Sequence, residues 1–430
     1  MLRKFKKTLA RKLRPVLDAY RAEKSRFRPS LVHYSRNRES GKRALLCYLV
    51  DAVTMKDSDP RLKGHANWWR AREIARILDS LGYSVDVIAS GDRNFVPTEP
   101  YDLVFDASYN IPRLAAWQKP ETKYCMLLTG SYTGWSSAAE ACRIADFETR
   151  HGVYYAPRYG WQSKLMEDIS LSTADLALLV GNDVTLATYP EWARQKIKTV
   201  CMPTSWIEHR KKYGKRTGSF LYYSSARNVL KGLDLVLDFF IAHPELKLDI
   251  VGPVESGEQD FWKAYPGVPA LENLELHGSM VPSSKRFSDI LDRCDALLFP
   301  SCSEGASSSV LTCCHAGLYP IISDNSGVDL PPGCGIRIET VSASGIEQAI
   351  SLFLEKDWSS IADEAGRIAD ETARRHSREA FTGAMTDILR GLRDAPERKR
   401  GPADSMDWVD GIPAAVRNCR IFGQRRISRK

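Results

Sequence analysis

Short apolar runs separated by helix-sized segments recur along the chain, and this rhythm constrains the fold most. In the first half the runs are Ala44–Val50, Ser84–Ala89, Asp102–Phe105, Tyr124–Leu128 and Ala174–Val180. In the second half they are Phe220–Tyr223, Leu246–Val251, Leu274–His277, Ala296–Phe299 and Tyr319–Ile322. A strand apolar on consecutive residues must be covered on both faces. The expectation is therefore α/β, with parallel sheets clad by helices such as Trp69–Leu81, which Gly82 closes as a C-cap. The rhythm breaks in the polar stretch 203–216 and then restarts, which predicts two doubly wound domains facing across a cleft. The expected boundaries are 1–42 for a basic N-terminal segment, 43–205 and 206–395 for the domains, and 396–430 for a flexible basic tail. Segment 345–392 is expected to be helical and to close the second domain. Ligands of open α/β sheets bind beyond the carboxyl ends of the strands, so function is expected in the loops that follow them.

Charge separates the body from its ends. Of the net +8, residues 1–30 carry +9 and residues 397–430 carry +5, which leaves the body at −6. An acidic body argues against a nucleic-acid-binding face. Residues 2–20 place Leu2, Phe5, Leu9, Leu13, Val16, Leu17 and Tyr20 at spacings of three and four among Lys and Arg. That pattern predicts an amphipathic basic helix that would dock on an anionic membrane surface, pack on the protein's own body or stay a solvated tail. The ten cysteines lack paired spacings and read as reduced thiols. There is no apolar block for a signal peptide and no run long enough to span a bilayer. The expected location is cytoplasmic, on the inner membrane face if the helix docks there.

Two strand–loop–helix stretches carry chemistry. In Phe299-Pro-Ser-Cys-Ser-Glu-Gly-Ala-Ser-Ser-Ser-Val-Leu311 a small-residue loop leads into a helix near Ser307. Amides at a helix start, here Ser307, Ser308, Ser309 and Val310, can point at an anion. Glu304 at the lip can accept hydrogen bonds from sugar hydroxyls. One loop could thus hold a diphosphate and a sugar side by side. The other stretch, Phe220 to Asp234, puts Arg227 and Lys231 after a strand, where two cations could neutralise a leaving diphosphate.

Together these segments resemble the family-four retaining glycosyltransferases of the GT-B fold, which have two Rossmann-like domains. The shared elements are the basic loop Arg227…Lys231-Gly232 and the loop Pro300-Ser-Cys-Ser-Glu-Gly305, with Leu248-Asp-Ile-Val-Gly-Pro253, Asn273-Leu-Glu-Leu-His-Gly278 and Gly317-Leu-Tyr-Pro-Ile321 in register. The resemblance covers residues 218–356. It implies a hexosyltransferase that moves a sugar from a nucleotide diphosphate sugar to a glycan or lipid-linked glycan acceptor, with retention and with no cofactor or metal required. It implies catalytic roles for Glu304, Lys231 and Arg227. Donor contacts would come from Ser225, Gly278, Gly305, Ala306, Ser307, Ser308, Ser309, Val310 and Thr312. The first-domain loop Lys63–Asn67 would bring His65 and Asn67 to the acceptor side. Thr312 stands where the family has a second glutamate that holds the ribose, and the loop Leu128–Trp135 lacks a histidine that relatives often carry. These departures leave an alternative, a catalytically inactive relative that binds sugar or nucleotide, or scaffolds polysaccharide assembly.

Weaker features read as structural. Asp57-Ser-Asp59 is a solvated loop, not a metal site. His315, Cys313 and Cys314 read as packed core residues, His277 as a strand-end residue, and His151 as structural.

Overall fold

The computed structural model describes residues 31–36, 41–59, 62, 66–157, 161–204, 207–252 and 258–396. The helix expected over residues 2–20, the basic tail beyond 396 and His65 lie outside the described residues. Two sheets organise the rest. The first contains β1 (Val32–His33), β2 (Arg43–Tyr48), β3 (Ser84–Ala89), β4 (Leu103–Asp106), β5 (Lys123–Leu128), β6 (Leu176–Val180) and β7 (Ile197–Val200), in the order β1-β3-β2-β4-β5-β6-β7. All its pairings are parallel except β1 with β3. The second contains β8 (Ser219–Tyr223), β9 (Lys247–Val251), β10 (Leu274–Gly278), β11 (Ala296–Phe299), β12 (Tyr319–Ser323) and β13 (Ile336–Ile338), all parallel in the order β10-β9-β8-β11-β12-β13.

The apolar runs become strands because each face has its own core. Along β2, Ala44, Leu46 and Tyr48 enter one cluster, while Leu45 and Cys47 enter another. Alternation with a period of two thus hides inside a continuous apolar run. Three strands, β1, β7 and β13, fall outside the expected set. All lie at sheet edges, and β7 and β13 carry Lys198 and Arg337 in mid-strand, as edges that must resist further pairing often do. Helix α1 (Ala66–Ser80) ends as expected, with Gly82 at φ +91°.

The remaining site helices are α2 (Thr133–His151), α3 (Trp161–Thr173), α4 (Leu233–Ala242), α5 (Ser308–His315) and α6 (Arg378–Asp394). Two of them cross between the halves. The second half of α2 carries Ile144 and Phe147 into the core of the second sheet, where Phe147 stacks on Phe261 at 5.7 Å. Helix α6 corrects the expectation for 345–392, because it does not pack wholly on the second sheet. Phe381 meets Trp69 of α1 edge-on at 5.6 Å, and Thr382 donates to Glu73. The Lys123 ammonium donates to the carbonyls of Leu392 (2.7 Å) and Arg393 (2.9 Å), placing a cation on the negative end of α6.

A buried charge cluster joins α2 to α4. Asp234 is fully buried and pairs with Arg143 at 2.5 Å and with Arg150, which also reaches Asp238. The nine described cysteines are free thiols. No described helix is long and apolar enough to cross a membrane.

Candidate functional site in the cleft between the sheets

The two chemistry-bearing stretches lie side by side after β8 and β11. Gly232 takes φ +71°, and a Cβ there would lie 2.7 Å from the carbonyl oxygen of Pro300, so the turn after Lys231 needs glycine for both conformation and space. The N–H of Cys302 donates to Leu230 O at 3.0 Å. This close fit brings Lys231 Nζ to 2.9 Å from Glu304 Oε1, with the side chains 12% and 17% exposed. Both are largely shielded by protein.

Arg227 adopts φ +68°, the one positive φ outside glycine among the described residues. Such a conformation costs roughly 1–3 kcal/mol and persists only where neighbours hold it. Glu258 does so: its carboxylate accepts the N–H groups of Arg227 and Asn228, the latter at 2.8 Å. The Arg227 guanidinium lies 3.9 Å from Glu140 of α2, itself 1% exposed, so this cation is matched by an acid from the other half. Neither Glu258 nor Glu140 belongs to a recognisable spacing. Their contacts span 31 and 87 residues, and sequence reasoning assigned them no role.

The Glu304 loop is gripped by the first half. Ser131 Oγ donates to Glu304 O at 2.7 Å, Ser136 Oγ and Ser303 Oγ lie 2.6 Å apart, and Thr185 Oγ1 donates to Gly305 O at 3.2 Å. This adds a packing reason for the smallness of Gly305 and Ala306. A Cβ at Gly305 would lie 2.6 Å from Thr129 O and Val180 O, and Ala306 N–H donates to Val180 O at 3.0 Å. Small residues here let the opposite sheet come close, whereas the sequence reading reserved them for a ligand.

The helix start is narrower than expected. Ser307 N–H donates to Ser326 O at 3.0 Å, and the Ser307 side chain caps α5 by accepting Val310 N–H at 3.5 Å. Of the four expected amides, those of Ser308 and Ser309 remain as open N-terminal donors. Thr312 is 4% exposed, and its hydroxyl donates back to Ser308 O at 2.7 Å, so its proton serves the helix. Ser225 is exposed on the basic loop, and Gly278 ends β10 at φ +70° with open space around it. Asn67 Oδ1 accepts from the buried Arg70. Asp57 pairs with Arg72 at 2.6 Å. His151 packs between Phe147 and Tyr265, His277 pairs with Asp249, and half-buried His315 sits at the end of α5.

A cavity of about 330 Å³ opens between the halves. One wall is formed by Ser131, Thr133, Ser136 and Glu167 of the first half, and the other by Arg227, Ser303 and Glu304. That volume is at the small end of ligand pockets.

Solved structures share this fold. Sucrose-phosphate synthase from Thermosynechococcus elongatus superposes with a TM-score of 0.60 at 13% identity, covering 83% of this chain and 100% of that one. HepE from Anabaena, in complex with UDP and glucose, gives 0.52 at 11% identity, covering 82% and 100%. A glycosyltransferase from Rickettsia africae gives 0.50 at 11% identity, covering 83% and 100%. No family model matches the chain, and no curated protein does. The fold is the GT-B fold, two Rossmann-like units across a cleft.

Proposed function

We propose that the protein is a retaining hexosyltransferase that moves a sugar from a nucleotide diphosphate sugar to a glycan or lipid-linked glycan. The contact that carries this reading is Lys231 Nζ to Glu304 Oε1 at 2.9 Å, in a cleft that also holds Arg227. Each charge has a distinct use. Arg227 and Lys231 neutralise the diphosphate as the bond from the sugar's anomeric carbon to its oxygen breaks. The open amides of Ser308 and Ser309 add the positive end of α5. Glu304 exchanges its ion pair for hydroxyls of the donor sugar. The acceptor oxygen attacks from the face that the diphosphate leaves, and its proton passes to a departing phosphate oxygen, so the configuration is kept. These roles call on protein cations, with no metal or cofactor in them.

A thermal-shift screen with UDP, GDP, ADP and their sugars tests donor binding. One nucleotide family at ~100 times its dissociation constant is expected to stabilise the chain by about 2.7 kcal/mol. No shift with any nucleotide sugar would remove the reading. The occupied hydroxyl of Thr312 favours the second reading, a relative that binds a nucleotide sugar without turnover, and a donor shift with neither transfer nor hydrolysis would select it. Residues 1–30 would seat the enzyme on an anionic membrane. Vesicles containing anionic lipid are expected to co-sediment the full chain and not a chain lacking residues 1–30. Equal sedimentation of the two would end that proposal.

A further inference from the structure

The cavity between the sheets has two carboxyls on its walls. Glu304 belongs to the donor half and already faces Lys231. Glu167, on α3, comes from the opposite half and has no part in the donor chemistry. It is 4% exposed, and its Oε2 accepts the Thr133 N–H at 2.7 Å.

Capping α2 is the plain role for a carboxylate on Thr133 N–H, at the first residue of the helix. That role favours the ionised form. Here burial outweighs the hydrogen bonds from Thr133 and pushes the carboxyl up to about 7. The charged groups around it do not reverse this. Lys164 and Asp168 on α3 pair with each other at 2.7 Å, and Tyr132 donates to Asp168. Arg227 and Glu304 stand on the far wall, and Glu140 of α2 faces Arg227. A buried acid that lines a ligand-sized cavity, opposite the groups that would hold the donor, is suited to meeting the second substrate.

We propose that Glu167 is an acceptor-binding residue, whose carboxyl hydrogen-bonds a hydroxyl of the acceptor sugar in this cavity. The inference rests on the glycosyl-transfer reading and deepens it. An acceptor filling the cavity expels water and disfavours charge further, so the bound state holds Glu167 neutral. One carboxyl oxygen keeps the Thr133 N–H, and the protonated one donates to the acceptor.

The test uses the full chain, the nucleotide sugar that stabilises it most, and octyl glucoside, galactoside, mannoside and N-acetylglucosaminide as acceptor probes. In the wild-type chain the acceptor KM is expected to rise as pH passes above about 7. E167Q, a neutral isostere, is expected to keep the low-pH KM and lose that dependence. E167A is expected to raise the acceptor KM about 10-fold, the scale of one lost hydrogen bond, while donor KM and the donor-induced thermal shift stay put. E167A with an unchanged acceptor KM, or E167Q with an unchanged pH profile, overturns the role of Glu167 alone. A wild-type chain that neither transfers nor hydrolyses any donor overturns the transferase reading and this role with it.

Discussion

Lys231→Ala is expected to lower the rate of sugar transfer at least ~100-fold, the scale of removing one positioned electrostatic stabiliser. Lys231 is the cation in direct contact with Glu304, at 2.9 Å, and its ammonium also lies 5.9 Å from the ring centre of Phe299. Alanine removes charge where the diphosphate would leave and frees Glu304 from its partner. Glu304→Ala is expected to cost a similar factor through lost sugar contacts. Because the two side chains touch, their effects should not add: the double variant is expected to lose much less than the product of the single losses. Single-turnover rates at saturating donor separate this from weak binding. Wild-type turnover in either single variant would refute the assignment of both residues.

Asp234→Ala is expected to destabilise the fold by about 3–5 kcal/mol, the usual cost of removing one member of a buried ion pair. Asp234 is fully buried, and Arg143, its partner, is only 8% exposed. Removing the carboxylate strands a guanidinium where water reaches poorly. Asp146, 2.5 Å from Arg143 and half exposed, offsets part of that, so the low end of the range is expected. Urea unfolding of the two chains measures the difference. A loss under about 1 kcal/mol would show that the cluster is solvated and that α2 is not tied to α4 through it. Asp234, Arg143 and Arg150 do not line the cavity, so the donor-induced thermal shift should survive in the variant.

The strands were legible wherever burial on both faces wrote a continuous apolar run. Ser84–Ala89 and Ala296–Phe299 have the same bounds in the sequence reading and in the structure. β7 and β13 were not legible, because an edge strand is specified by its neighbour's backbone as much as by its own side chains. Gly82 and Ser307 were legible as helix punctuation, since caps act within a few residues. The basic loop and the Glu304 loop could be picked out as candidates because each is continuous in sequence and each follows a strand.

Contact between them is a different matter. The meeting of Lys231 with Glu304 spans 73 residues and depends on Gly232 clearing Pro300. The same limit hid Glu258, Glu140 and Glu167, each an ordinary glutamate until packing places it against Arg227 or in the cavity. It also hid a second reason for Gly305 and Ala306 to be small, the backbone of Thr129 and Val180 arriving from the other sheet. Local pattern alone determined the α/β class, the division into two sheets and the loops worth suspecting, because periodicity and capping are short-range physics. Tertiary structure alone decided which carboxylates share the cleft, which amides stay open and which helices cross between the halves, because burial and pairing depend on distance in space.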